Sequence, residues 1–266
     1  MQRAKLIVKT NLVEPQDARK TVERAGFALS DVNPDITIVI GGDGAFGQAG
    51  RVESAPLLFV SIHDPRPDGS KGVMSTITYD KLIPALIAFK EQRYYIEKRS
   101  KLAVKINDAA LGDVFTDVYL QRGLESGCLR YTVDIENHQF KVKEAAISDG
   151  VIIASPSGVT GYYSYPDKIS KDGIFIHAPP TVIGSDSLGI CHILPTYIER
   201  EGWQTTFLRY TVPIESTIRV TLDRPADARL YGFGQREGLP FAFGSVLSVS
   251  QSKAKADLVK FKKYTV

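Results

Sequence analysis

With 266 residues, 43% of them hydrophobic and 24% charged, the chain can bury a sizeable core, which excludes wholesale disorder and fibrous repeats and suits two domains. Its 33 basic residues against 30 acidic ones give a formal charge of +3, spread rather than massed, so no nucleic-acid partner is expected. Only the tail, with Lys253, Lys255, Lys260, Lys262 and Lys263, is locally basic, and it reads as structural. Cys128 and Cys191 are too few for a disulfide framework or a thiolate zinc site, and the adjacent Cys191 and His192 would point to opposite faces of a strand. No structural metal is expected. Met1 to Thr10 lacks a signal-peptide apolar stretch, and no run approaches the roughly 20 apolar residues of a membrane helix, so the expected location is cytoplasmic, with no membrane partner.

The first hundred residues alternate strand and helix signals. Leu6 to Val8 reads as a strand and Glu14 to Ala25 as a helix closed by Gly26. Ile36 to Ile40 is a β-branched strand running into Gly41-Gly42-Asp43-Gly44, with a short helix expected from Ala45 to Val52. Pro56 to Ile62 is a further strand, Asp64 to Gly72 a Pro/Gly-rich loop, and Lys81 to Arg93 a helix. This alternation predicts an α/β domain with a parallel sheet over residues 1–95. After Ile96 the segments become short and β-rich: Leu102 to Ile106, Asp117 to Gln121, Tyr131 to Ile135, Phe140 to Val142, Val151 to Ala154, Thr205 to Val212, Thr217 to Leu222 and Val246 to Ser250. A β-rich domain over 96–250 is therefore expected, with 251–266 packing back on the first domain.

Glycines that let backbone amides approach a ligand, placed between a strand and a helix, make a phosphate cradle. A carboxylate inside such a cradle repels phosphate unless a cation neutralises it or a base is needed there, so Asp43 points to chemistry. Two plainer readings stand beside it: a strand-to-helix turn with Asp43 capping the helix, and a G-x-G-x-x-G match of Gly42, Gly44 and Gly47 with Asp64 as the ribose-binding acid. The Gly-Gly-Asp-Gly turn after an apolar strand resembles the superfamily that joins NAD kinases with diacylglycerol and sphingosine kinases.

Ser148-Asp149-Gly150, the apolar run Val151 to Ala154, and Ser155-Pro156-Ser157-Gly158-Val159-Thr160-Gly161-Tyr162 deliver a hydroxyl-rich loop, with Tyr162 as a stacking surface. This segment resembles the NAD kinase pattern of Asp-Gly, a hydrophobic strand and Thr-Pro-Thr/Ser-Gly-Ser-Thr-Ala-Tyr. Asn107-Asp108, by composition a turn, falls in order where that family carries Asn-Glu. The resemblance implies a two-domain NAD kinase fold and transfer of a phosphoryl group from ATP or polyphosphate to the adenosine 2′-hydroxyl of NAD, with Mg²⁺ or another divalent cation. It implies Asp43 as the general base and Gly42 and Gly44 at the donor phosphates. Asn107, Asp108, Asp149, Ser157, Thr160, Gly161 and Tyr162 would bind NAD, partly across the interface of a homodimer or homotetramer. Arg51, one short helix from the turn, is the candidate cation for the donor phosphates. The chain departs from the family pattern at Ala45, Asp108, Val159, Ser164-Tyr165-Pro166, Phe233-Gly234-Gln235 and His63 to Pro67. Those departures motivate one alternative, a sensor that binds NAD without phosphorylating it; a lipid kinase of the same superfamily is another. His63, His138, His177 and His192 show no triad spacing, so a covalent nucleophilic mechanism is not expected.

Overall fold

The structure, a computed structural model, describes residues 1–62, 72–124, 127–166, 183–205 and 207–262. Most of the expected loop from Asp64, with Asp64 itself as the candidate ribose acid, lies outside the described residues, as do His63, Arg66, His177 and Lys263. The chain divides into two compact units, Met1–Arg99 with Lys255–Val266, and Ser100–Ala254.

The first unit runs β1 (Arg3–Lys9), α1 (Pro15–Arg24), β2 (Ala28–Leu29), β3 (Ile36–Gly41), α2 (Asp43–Val52), β4 (Leu57–Ser61), β5 (Ile77–Thr78) and α3 (Leu82–Lys90). Its strands pair in parallel in the order β2, β1, β3, β4, β5. The closing segment of the chain adds to β4 with Leu258 opposite Leu57, and Val259 joins the core. All of β3 is buried because both faces are covered. Ile36, Ile38 and Ile40, with Leu58 and Val60, meet Ala18 and Val22 of α1 and Leu82, Leu86 and Phe89 of α3. The alternate residues face α2, whose Phe46 stacks on Phe59 with ring centroids 4.6 Å apart.

The chain continues through β6 (Tyr95–Ile106), β7 (Ala109–Val114), β8 (Asp117–Arg122), β9 (Leu129–Glu136), β10 (Lys141–Ser148), β11 (Gly150–Ala154), β12 (Ser187–Ile193), β13 (Tyr197–Arg200), β14 (Trp203–Gln204), β15 (Arg209–Pro213), β16 (Thr217–Leu222), β17 (Ala228–Tyr231), β18 (Leu239–Phe241) and β19 (Val246–Lys260). In the second unit these strands make two antiparallel sheets. One is ordered β14, β13, β10, β9, β16, β19, with the β6–β7 hairpin against β19; the other is ordered β15, β12, β11, β8, β17, β18. Tyr131, Val133 and Ile135 of the first sheet interdigitate with Val118, Leu120, Val151, Ile153, Ile190 and Leu230 of the second. The other side of β11, with Ile152 and Ala154, packs against Tyr163, Ile183 and Leu208. This doubly covered position makes β11 an unbroken apolar run rather than an alternating one. The α/β first part and β-rich second part predicted from the sequence are thus present.

Candidate functional site

The glycine turn is built by β3 and α2. Gly41 ends the strand without space for a side chain: a Cβ there would lie 3.1 Å from both Lys9 O and the Ala45 methyl. Gly42, in an extended conformation, is the N-cap of α2, and no side chain among the described residues caps the helix. The capping reading of Asp43 is therefore corrected: it is the first helical residue. Its carboxylate reaches the segment that leads into β5, where Oδ2 accepts the Val73 amide at 3.3 Å and Oδ1 the Met74 amide at 3.1 Å. Among the described residues, space above Gly44 is open, since a Cβ there would meet none of their atoms within 4 Å. An uncapped helix amide end, open above Gly44, suits a phosphate.

Arg51 does not share this place. It lies in the last turn of α2, eight residues beyond Asp43, which at about 1.5 Å per residue is roughly 12 Å along the axis. Its assignment to the donor phosphates is withdrawn on that geometry.

In the second unit β11 delivers the hydroxyl-rich loop. Ser155 opens a 3₁₀ turn over Pro156–Thr160, its Oγ accepting the Ser157 amide at 3.1 Å and donating to Phe115 O at 2.6 Å. Ser157 is buried at 4% exposure. Gly158 packs so closely that a Cβ would fall 2.4 Å from Thr116 O. Thr160 Oγ1 is buried and has no hydrogen-bond partner among the described residues, an orphan suited to a ligand's polar atom. Tyr162 forms an edge contact with Tyr119 at 5.1 Å, Tyr119 stacks on Tyr231 at 5.0 Å, and Tyr165 lies 5.6 Å from Tyr162. Burial, with Asp117 nearby, pushes the Tyr119 hydroxyl up to about 12, and burial also raises Tyr162, with Asp149 contributing. These phenols stay protonated at neutral pH as donors beside the loop.

Asp149 sits at the opposite end of β11 from Ser155. Its amide donates to Ile193 O at 2.8 Å, its carbonyl accepts the Arg122 amide at 2.9 Å, and its carboxylate pairs with Arg122 Nε at 2.8 Å.

Asn107 and Asp108 lie elsewhere. Both take positive φ, 50° and 65°, and form the two-residue turn between β6 and β7. Asn107 Oδ1 accepts the Val246 amide at 2.8 Å. The six residues of β7 separate this turn from Thr116, roughly 20 Å at about 3.3 Å per residue. The acid that the fold brings to the loop is Asp117, which the sequence reading missed. Asp117 Oδ2 accepts the Tyr162 amide at 3.0 Å, Oδ1 accepts the Thr116 hydroxyl at 3.0 Å, and a Cβ on Gly161 would lie 2.7 Å from Oδ2. Its sequence signal is Thr116-Asp117 directly before the alternating strand Val118 to Leu120. For Val73 and Met74 the sequence offers no signal. Phe233, where the family pattern has an acid, is buried in the core between the sheets.

Burial raises the Asp117 carboxyl, with the Thr116 hydroxyl and the Tyr162 and Tyr163 amides partly offsetting it. A carboxyl raised on folding is penalised when ionised, so its contribution to stability improves as the pH falls toward the raised value. An asparagine amide in its place is neutral at every pH and keeps an oxygen for the Tyr162 amide. Asp117→Asn is therefore expected to unfold within about 1 kcal/mol of the parent at pH 7, whereas Asp117→Ala loses about 1–3 kcal/mol by orphaning the Tyr162 amide, as read by denaturant titration.

No family model matches the chain. It is similar to the NAD kinase of Thermoplasma volcanium, 26% identical over 247 residues that cover 92% of this chain and 81% of the relative. Other curated NAD kinases match at identities from 23% to 32%. Among solved structures, yeast NADH kinase complexed with NADH superposes at a TM-score of 0.71 and 13% identity, covering 100% of this chain and 85% of that one. The NAD kinase of Archaeoglobus fulgidus in complex with ATP does so at 0.63 and 18% identity, covering 99% and 94%. The fold, with its glycine-aspartate turn and hydroxyl-rich loop, is the two-domain fold of these NAD and NADH kinases. Sequence likeness narrows this further: the curated relatives matched over most of the chain are NAD kinases.

Proposed function

We propose that the protein is an NAD kinase, a phosphotransferase that moves a phosphoryl group to the 2′-hydroxyl of the adenosine ribose of NAD and yields NADP. The observation that carries this reading is Asp43 at the first turn of α2, tied to Val73 and Met74 instead of capping its own helix, beside an amide end that suits phosphate. ATP is the favoured donor because the Archaeoglobus neighbour is in complex with ATP; polyphosphate is the second.

Asp43 takes the proton of the acceptor hydroxyl while the hydroxyl oxygen bonds to the γ-phosphorus and the bond from that phosphorus to the nucleoside diphosphate breaks. Gly42 and Gly44 line the donor phosphates. Asp149, Ser157, Thr160, Gly161 and Tyr162 bind the dinucleotide, supported by the orphan Thr160 hydroxyl and the neighbouring tyrosines; Asn107 and Asp108 are replaced in this role by Asp117. A divalent cation, Mg²⁺ first, would offset the charge of the donor phosphates and be carried by them. Among the described residues no group of three or more His, Cys, Asp or Glu stands ready to hold a metal. The sensor and lipid-kinase alternatives are not favoured, because the curated relatives matched over most of the chain are NAD kinases. A cytoplasmic homodimer or homotetramer fits the two free thiols and the exposed Trp203 and Phe207. No helix among the described residues is long and apolar enough to cross a membrane.

Incubation with NAD, Mg²⁺ and ATP, or polyphosphate in parallel, is expected to form NADP, read with an NADP-specific dehydrogenase. NAD binding with neither donor yielding NADP overturns the kinase reading and favours the sensor.

A further inference from the structure

The interior between the two sheets of the second unit holds a polar chain that the proposed reaction does not use. Glu144, His192, Tyr131 and Ser148 are all 0% exposed. His192 Nε2 lies 2.6 Å from Glu144 Oε1, which also accepts the Tyr210 hydroxyl at 2.8 Å, while Arg200 Nε and Nη2 donate to Glu144 Oε2 at 2.9 and 2.8 Å. Burial pushes the Glu144 carboxyl up, but His192 and Arg200 outweigh it and hold the group below its ordinary range. His192 thus lies between two partners, with Nε2 facing the Glu144 carboxylate and Nδ1 facing the Tyr131 hydroxyl at 2.6 Å.

The chain ends on one short stretch of backbone. Tyr131 Oη lies 2.7 Å from Ser148 Oγ and 2.9 Å from Gly150 O. Ser148 Oγ accepts the Gly150 amide at 3.0 Å, and its one proton has both Tyr131 Oη and the Gly150 carbonyl, at 2.8 Å, within reach. Ser148 and Gly150 flank Asp149. Burying such a chain is costly unless its polar atoms are satisfied, and here each has a partner along the line from Gly150 through Ser148 and Tyr131 to His192. An apolar core would serve stability as well, so the specific product of the network is the fixed geometry of Ser148–Gly150.

We propose that Tyr131 and Ser148, backed by His192 and Glu144, are positioning residues that hold the Ser148–Gly150 backbone so that the Asp149 carboxylate is presented to the dinucleotide. This rests on the reading of Asp149 as an NAD-binding residue.

The test is a double-mutant cycle on the full chain, with NAD and ATP dissociation constants measured by calorimetry. Asp149→Asn is expected to weaken NAD binding. Tyr131→Phe, which removes only the hydroxyl, is expected to weaken NAD binding about tenfold and leave ATP binding unchanged. In the Asp149→Asn background the Tyr131→Phe effect disappears, because the carboxylate being positioned is gone. Ile135→Val, a core change on the same strand, leaves NAD binding unaltered and controls for lost stability. If Tyr131→Phe does not fold, Ser148→Ala replaces it in the cycle. Tyr131→Phe without effect on NAD, or with its full effect persisting beside Asp149→Asn, overturns the positioning role while Asp149 keeps its own. NAD affinity unchanged in Asp149→Asn itself overturns the reading of Asp149, and the positioning role with it.

Discussion

Asp43→Asn is expected to cut NADP formation by roughly 10²–10⁴-fold while NAD binding changes little, since general-base catalysis is generally worth about that much. The substitution removes the ability to take the acceptor proton but keeps an oxygen of the same shape. The amide oxygen introduced can still accept one of the Val73 and Met74 amides; the other bond is lost where nitrogen replaces oxygen, at a cost of about 1 kcal/mol. The drop in turnover therefore exceeds anything attributable to a loosened segment. Single-turnover kinetics with saturating ATP, beside a calorimetric NAD titration, separate the two effects. Unchanged turnover removes Asp43 from the mechanism, and equal losses in turnover and NAD affinity assign it to binding.

Gly150→Ala is expected to lower unfolding stability by roughly 3 kcal/mol or more and to take NAD binding with it. Two costs add. Gly150 has a φ of 150°, which side chains of L-residues rarely adopt, and an added Cβ would lie 2.0 Å from Leu120 O and 2.8 Å from Gln121 Cα. Both opposing atoms are backbone of β8, which cannot yield without breaking its pairing with β11. Denaturant unfolding followed by circular dichroism measures the loss. A variant as stable as the parent would show that the strand junction relaxes far more easily than its packing indicates.

The strand from Ile36 into the glycine turn is legible in the sequence because a β-branched run ended by glycines is a local signal. Even there the helix begins at Asp43 rather than Ala45, since extended Gly42 supplies the N-cap without a side chain. The short strands Ala28–Leu29, Ile77–Thr78 and Leu239–Phe241 carry too few residues for a periodicity and exist because a neighbour pairs with them. The Asn107–Asp108 reading fails for a physical reason: order along the chain is not nearness. An Asn-Asp pair between two strands is first a hairpin turn, and the hairpin carries it a strand's length away from the loop. Asp117, whose strand begins beside that loop, stands between the same two segments, marked only by the pair Thr116-Asp117 before an alternating strand.

Local chemistry, then, is enough to reveal an α/β part followed by a β-rich part, a carboxylate among glycines after a buried strand, and a hydroxyl-rich loop after another, because strand propensity, glycine freedom and side-chain type are properties of neighbouring residues. Tertiary structure alone decides that Asp43 faces Val73 and Met74, that Asp117 holds Tyr162, and that Glu144, His192, Tyr131 and Ser148 form one chain behind Asp149. Those contacts join residues brought together by strand order and register, which depend on how distant segments bury each other's apolar faces.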